Sequence, residues 1–182
     1  MRTLSASEFV WGWMLRYTWT CSCCGRQFDE LPIHWSVEAP ALYDALSETE
    51  RRSRATLSTD FCTIGDNAFF IRGQIEIPLL GSSERLTWGV WASLSAASME
   101  QVRNAWNRHD RASEAPFFGW LSSALPLYPD TINLKSNVHL RSQPDMPLVE
   151  LEPTDHPLAV EQREGITLAR AAQIAEALLP RH

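Results

Sequence analysis

Three of the chain's four cysteines fall within a few residues of one another, at Cys21, Cys23 and Cys24, directly ahead of Gly25. Two thiolates separated by two residues can bind one metal ion, and a following glycine lets the backbone turn sharply beneath it. The spacing of Cys21 and Cys24 is typical of a zinc knuckle, so the sequence predicts structural zinc held by this pair. A structural zinc site needs four ligands, however, and the sequence holds no second Cys-x-x-Cys pair.

The remaining ligands are less well defined by the sequence. By chemistry, Cys62 and His34 are the nearest candidates, and His156 is a more distant one. If only three protein ligands assemble, the fourth position would hold water, which is the arrangement of a catalytic ion. The alternative is that Cys21 and Cys24 are reduced thiols at a tight turn, and in either case we expect Cys23 to point away and pack.

A second concentration of polar residues surrounds His156, which lies between Asp155 and Pro157 with Glu161 close behind. Proline forces the residue before it into an extended conformation. A histidine beside carboxylates could act as a general base or a metal ligand, so His156, Asp155 and Glu161 are candidate catalytic residues. The plainer interpretation is a hydrogen-bonded loop that fixes the last helix to the sheet.

Four further residues are candidates for ligand binding. Trp120, Tyr128 and Asp130 lie in an aromatic, proline-rich region that could line a cleft or cover the core from outside. Arg72 stands among apolar strand neighbours, so it could face a carboxylate or an anionic ligand, or simply face solvent. The motifs of nucleotide-binding loops, serine hydrolases and zinc metalloproteases are absent from the sequence.

The composition narrows the class of partner. A net charge of −6 argues against non-specific binding to nucleic acid or to an anionic membrane. No apolar stretch approaches the ~20 residues that a membrane-spanning helix requires. Clustered rather than spaced cysteines favour a reducing compartment, so we expect a cytoplasmic protein without a secretory signal.

The elements that would position these residues follow from hydrophobic periodicity. Apolar residues alternate along residues 69–77 and 86–94, which predicts an antiparallel hairpin at the centre of an antiparallel sheet. The fold class is therefore α+β, as one domain over 1–182, with a knuckle at 17–34 packed on the core and a flexible extension at 1–14. Helices are expected at about 96–108 and 167–179 and after Ser47, weaker strands at 16–22, 133–140 and 148–152, and mostly irregular chain at 111–132.

A set of short motifs runs in order along the chain: Cys21-Ser22-Cys23-Cys24-Gly25, Leu31-Pro32, Phe70-Ile71-Arg72-Gly73, Ile75-Glu76-Ile77-Pro78, Trp88-Gly89-Val90-Trp91, Gly119-Trp120-Leu121, Tyr128-Pro129-Asp130-Thr131 and Glu152-Pro153-Thr154-Asp155-His156-Pro157-Leu158-Ala159. Over about residues 18–176, this order resembles the bacterial domain of unknown function 2199 family. The resemblance implies a single bacterial domain and implies no activity. The family pattern has a histidine three residues after the knuckle glycine, where this chain has Phe28.

Three functions remain open at this point. The first is a binding module with a structural knuckle, whose negative charge suits a basic protein partner. The second is a metal-dependent enzyme in which His156, Asp155 and Glu161 meet Cys21 and Cys24 around one ion. The third is a thiol redox protein, which requires a depressed pKa at Cys21 and Cys24.

Overall fold

The structure, a computed structural model, describes residues 14–179. In chain order its elements are β1 (Met14–Thr20), β2 (Gln27–Pro32), β3 (His34–Ser36), α1 (Ala41–Asp44), α2 (Glu48–Arg54), β4 (Ala55–Leu57), β5 (Phe61–Ile64), β6 (Ala68–Pro78), β7 (Arg85–Leu94), α3 (Ala96–Ala105), a 3-10 helix (Arg111–Ser113), β8 (Phe117–Leu121), β9 (Lys135–His139), β10 (Leu148–Leu151), α4 (Pro157–Glu164) and α5 (Leu168–Leu178). The α+β class is confirmed. The predicted extension at 1–14 lies, except for Met14, outside the described residues, and the single domain over 1–182 stays a prediction.

The β6–β7 hairpin forms the longest ladder in the described part of the chain. Its register places Ile75 opposite Trp88 and Ile77 opposite Leu86, and all four side chains are buried. Because successive strand residues point to opposite faces, the polar residues of β6, such as Arg72 and Glu76, lie on the other face. The predicted alternation therefore places the main hydrophobic cluster on one face, while the other face carries polar residues together with Phe70 and Trp91.

Five strands close into a barrel in the order β7-β8-β9-β10-β6, because β6 also pairs with β7. β3 extends the sheet beside β7, and β5 and β4 extend it beside β6. The expectation of an antiparallel sheet needs correction, since β3 runs parallel to β7 and β10 runs parallel to β6 through Leu148 and Gln74. The alternation of side chains has the same period in both orientations, so the sequence pattern could not distinguish them.

Strand β7 is buried on both faces. Trp88 belongs to the main hydrophobic cluster, which also takes in Trp19 and Leu31 of the β1–β2 hairpin. Trp91 points the opposite way into a smaller cluster with Phe70. The indole N–H of Trp91 donates to the backbone oxygen of Val37 (3.1 Å), so its polar atom is satisfied. The sheet thus has an apolar layer on each side of its central strand.

Side chains cap the start of every α-helix in residues 14–179 except α1, which follows Pro40. Ser47 and Glu50 form a capping box at the start of α2, as the sequence predicts. Ser95 caps α3 and Thr167 caps α5, so the two predicted flanking helices are present and slightly shorter than expected. None of the helices within residues 14–179 is long and apolar enough to cross a membrane.

Two segments differ from their sequence-based prediction. Strand β8 lies inside the stretch 111–132 that was expected to be mostly irregular, with Phe117, Gly119 and Leu121 buried on one face. Helix α4 occupies what was expected to be a loop, because Pro157 stands at the start of a helix whose N-cap is His156. Proline favours the first helical turn, where its missing N–H costs nothing. Flanking prolines obscured both elements.

The main cluster should carry most of the stability, so the same substitution inside and outside it should have different effects. Leu86 is fully buried, and Leu42 is 48% exposed. We expect Leu86→Ala to lower the free energy of unfolding by about 2–5 kcal/mol. Leu42→Ala should change it by less than about 0.5 kcal/mol. Urea denaturation measures both, and equal effects would contradict the assigned core.

Candidate metal centre

The cysteine cluster occupies the turn between β1 and β2. Two backbone hydrogen bonds of 2.9 Å close this turn, from Cys21 N to the oxygen of Arg26 and from Gly25 N to the oxygen of Cys21. Gly25 has a φ of +71°, in the left-handed region that favours glycine. The local sequence therefore folds back on itself and carries all three thiols into one turn.

The three thiols lie close enough to share an ion. The Sγ atoms of Cys21, Cys23 and Cys24 are all within 4.8 Å of one another, and the Sγ atoms of Cys21 and Cys23 are 2.9 Å apart. Cys21 is buried, whereas Cys23 and Cys24 are exposed. The expectation that Cys23 points away and packs is wrong, because the tight turn directs its thiol towards Cys21. Three close cysteines could hold a metal ion here.

The contact between Cys21 and Cys23 shifts the pKa values of the two thiols in opposite directions. A hydrogen bond from Cys23 is the main cause of the lowered pKa of Cys21. The same bond is the main cause of the raised pKa of Cys23, about 11. Of this pair, Cys21 is therefore the thiol that ionises first.

A carboxylate from the other end of the chain reaches the same turn. Oε1 of Glu176, on α5, accepts hydrogen bonds from Ser22 Oγ (2.5 Å) and from the backbone N–H of Cys23 (3.0 Å). The same oxygen lies 3.6 Å from Cys21 Sγ. The hydrogen bond from Ser22 is the main cause of the lowered pKa of Glu176, so this group stays ionised. Sequence reasoning missed Glu176, because no local pattern links residues so far apart.

The additional ligands named from the sequence lie elsewhere. Cys62, on β5, is buried in the smaller cluster, and burial raises its pKa to about 11. His34, on β3, is half-buried, and burial lowers its pKa. His156 caps α4, its Nδ1 accepting from the backbone N–H of Leu158 (3.2 Å). Among residues 14–179, none of these three joins the thiol group.

Phe28 occupies the third position after Gly25, at the start of β2. Its ring stacks on that of Trp19, with centroids 4.7 Å apart, and the guanidinium of Arg26 lies 5.2 Å from its centroid. Trp19 and Phe28 face each other across the β1–β2 ladder. The aromatic pair therefore stiffens the base of the turn, and this position offers no ligand atom to a metal.

Two sequence candidates that we considered separately come together in the structure. The hydroxyl of Tyr128 donates to Glu161 Oε2 (2.5 Å), and Arg170 Nε donates to Glu161 Oε1 (2.9 Å). Burial, and next the bond to Glu161, raise the pKa of Tyr128, so its proton stays on the phenol. This group joins the loop after β8 to α4 and α5. Asp155 lies in the exposed turn before α4.

The other candidates for binding have local partners. Trp120 is exposed on β8, where it makes an edge-to-face pair with Phe118 and lies beneath the ammonium of Lys135 (6.0 Å). Asp130 Oδ1 accepts from the backbone N–H of Ile132 (3.0 Å), as a loop-closing residue does. Arg72 Nη2 donates to the hydroxyl of Ser36 on β3 (2.6 Å).

A closed barrel with an N-terminal thiol turn defines a class of small α+β protein with a candidate metal centre. Residues 20–166 match the model of the family described as "Uncharacterized protein conserved in bacteria (DUF2199)", and the chain belongs to this bacterial family. The match includes the thiol turn and the barrel but ends ahead of α5, so Glu176 lies outside it. Neither the curated proteins nor the solved structures contain a match to the chain.

The hydroxyl of Tyr128 should contribute measurably to stability. Tyr128→Phe removes the donor to Glu161, and hydrogen bonds to charged groups contribute roughly 1.5–3 kcal/mol. We expect a loss of unfolding free energy in that range, measured by urea denaturation. Tyr43→Phe is the matched control, because it keeps the ring beside Arg51 (4.9 Å) and should be nearly neutral. A neutral Tyr128→Phe would mean that the bond does not hold α4 and α5 in place.

Proposed function

We propose that this protein is a binding protein of the bacterial cytoplasm in which Cys21, Cys23 and Cys24 hold one zinc ion as a structural clasp. The observation that carries the proposal is the mutual approach of the three Sγ atoms within 4.8 Å. Thiolates are preferred ligands of structural zinc. The proposal adds Cys23 to the pair that the sequence indicates.

The distances are compatible with a tetrahedral ion after a small adjustment. Zn–S bonds of about 2.3 Å place tetrahedral sulfurs roughly 3.8 Å apart. The three Sγ atoms lie within 4.8 Å of one another, so the separation that zinc requires falls inside this range. The Cys21–Cys23 distance of 2.9 Å must widen by roughly 0.9 Å to reach it. Cys23 is exposed and on a turn, so it can move without disturbing the core.

Glu176 is the best-placed group for the fourth position. Its Oε1 is already 3.6 Å from Cys21 Sγ, and its lowered pKa keeps it ionised. Carboxylate oxygens bind zinc at about 2.0–2.2 Å, so a modest shift of this side chain would complete a closed site. The ion would then connect the β1–β2 hairpin to α5. Because such binding free energy adds to folding free energy, the metal would stabilise this junction.

The partner that we propose is a basic protein. The chain's net charge of −6 favours association with a positively charged surface. The edge-to-face pair Phe118 and Trp120, exposed on β8, offers aromatic contact area of the type enriched in protein interfaces. We expect no nucleic-acid partner, because phosphate binding needs a cationic footprint.

A thiol redox protein is the second candidate function. The lowered pKa of Cys21 and its 2.9 Å distance from Cys23 Sγ favour it, since thiolates are the reactive form. The metal-dependent enzyme has less support. His156 is occupied as a helix cap and Glu161 is paired with Tyr128 and Arg170. Neither belongs to the thiol group.

The metal content of the purified protein distinguishes the zinc-clasped binding protein from the thiol redox protein. We expect protein purified without an affinity tag to contain about one zinc ion per chain by plasma mass spectrometry, and Cys24→Ser to lose most of it. Chelation should lower the melting temperature of the wild type by several degrees and leave Cys24→Ser unchanged. Cys62→Ala is the control. Because Cys62 lies outside the thiol group, we expect this variant protein to contain as much zinc as the wild type.

Absence of bound metal together with a reactive Cys21 would favour the redox function. Wild-type protein that is free of metal and melts at the same temperature after chelation would refute the clasp. Rapid alkylation of Cys21 at neutral pH in that metal-free protein would then support a redox role.

A further inference from the structure

The outer face of the sheet carries a polar strip where β3, β7 and β6 lie side by side. The register places Ser36 beside Gly89 and Gly89 beside Gln74, and it places Arg72 opposite Trp91. Arg72 and Gln74 share one face of β6, since they are two residues apart. Gly89 has no side chain, so the hydroxyl of Ser36 can lie over β7 and approach Arg72.

Glycine is required for this arrangement. A Cβ added at Gly89 would lie 2.6 Å from Ser36 Oγ, closer than real side chains come. With glycine present, Arg72 Nη2 donates to Ser36 Oγ at 2.6 Å. On the same face, the fully buried ring of Trp91 is the cross-strand neighbour of Arg72. The guanidinium is therefore held in one place before any ligand binds, which lowers the entropic cost of binding.

The charge of Arg72 is not neutralised within the described chain. Its side chain is half-buried, and its Nε is fully buried without a hydrogen-bond partner. Between residues 14 and 179, no carboxylate forms an ion pair with it. A guanidinium withdrawn from water is unfavourable unless a counter-charge or further acceptors compensate. An anion bound at the outer end of the guanidinium would supply the counter-charge.

Glu76, the acidic residue on the same face of β6 as Arg72, already has other partners. Glu76 accepts from Arg141 Nη1 (2.6 Å) and Gln74 Nε2 (2.7 Å), and Arg85 Nε lies 3.6 Å away. Burial alone would raise the pKa of Glu76, but these hydrogen bonds and the two arginine charges lower it. Glu76 is thus paired with Arg85 and Arg141, and neither ion pair includes Arg72.

We propose that Arg72 and Ser36 form a binding site for a small anion with a carboxylate or phosphate group. A guanidinium carries five N–H donors in a planar fork that matches two oxygens of either group. Among residues 14–179, Ser36 Oγ is the side-chain acceptor of Arg72, and Nε has no partner. Ser36 accepts from Arg72, so its own hydroxyl proton is free to donate to the ligand. The site shares no residue with the thiol turn and does not depend on the metal.

The test is isothermal titration calorimetry at constant ionic strength on four proteins: the wild type, Arg72→Lys, Ser36→Ala and a control variant. Each protein is titrated with inorganic phosphate and, in a separate experiment, with succinate. We expect one of the two probes to bind the wild type with one-to-one stoichiometry. Arg72→Lys keeps the charge but loses the fork, so we expect it to weaken binding about tenfold or more, and Ser36→Ala to weaken it severalfold.

Arg103→Gln is the control variant. Arg103 is an exposed arginine that donates to a single hydroxyl, Thr63 Oγ1 (3.1 Å), and should not affect binding. Binding of phosphate alone assigns a phosphate ligand, and binding of succinate alone assigns a carboxylate ligand. Failure of both probes, or folded Arg72→Lys and Ser36→Ala variants that bind as the wild type does, would overturn the proposal. The zinc content, measured on the same samples, should be unchanged in every variant.

Discussion

The register of the β6–β7 ladder is the constraint on which the rest of the fold depends. It runs from the pair of Phe69 and Leu94 to the pair of Pro78 and Arg85. A slip of one residue would exchange the apolar and polar faces of a strand, so burial of the apolar face fixes the register. The same register brings the polar strip around Arg72 together on the outside. The pairing of β6 with β7 therefore determines both the hydrophobic core and the candidate anion site.

The contact of Glu176 with the thiol turn is the second connection that shapes the molecule. It joins residues more than 150 positions apart in sequence, because Ser22 and Cys23 both donate to the one carboxylate. The β1–β2 hairpin also packs on the main core through Trp19 and Leu31. A metal ion bound by the turn and Glu176 would therefore tighten an existing junction between hairpin and helix, without creating a new one.

Features determined by neighbouring residues could be predicted from the sequence, and features determined by tertiary contact could not. The Ser47 capping box, the β6–β7 alternation and the two flanking helices depend on residues a few positions apart. Closure of the barrel through a parallel β6–β10 contact has no local signal. The same is true of the approach of Glu176 to Cys23 and of Tyr128 to Glu161. The cysteine cluster could be predicted because its residues lie within four positions of one another, whereas Glu176 is too distant in sequence to leave a local signal.

The central claim is that the thiol turn and α5 share a zinc ion. X-ray absorption at the zinc edge of the native protein tests it most directly, because the distances report the ligand types. The account predicts three sulfur neighbours at about 2.3 Å and one oxygen neighbour at about 2.0–2.2 Å, the oxygen signal changing in Glu176→Gln. Protein without bound zinc, or zinc surrounded only by nitrogen and oxygen, would contradict the account.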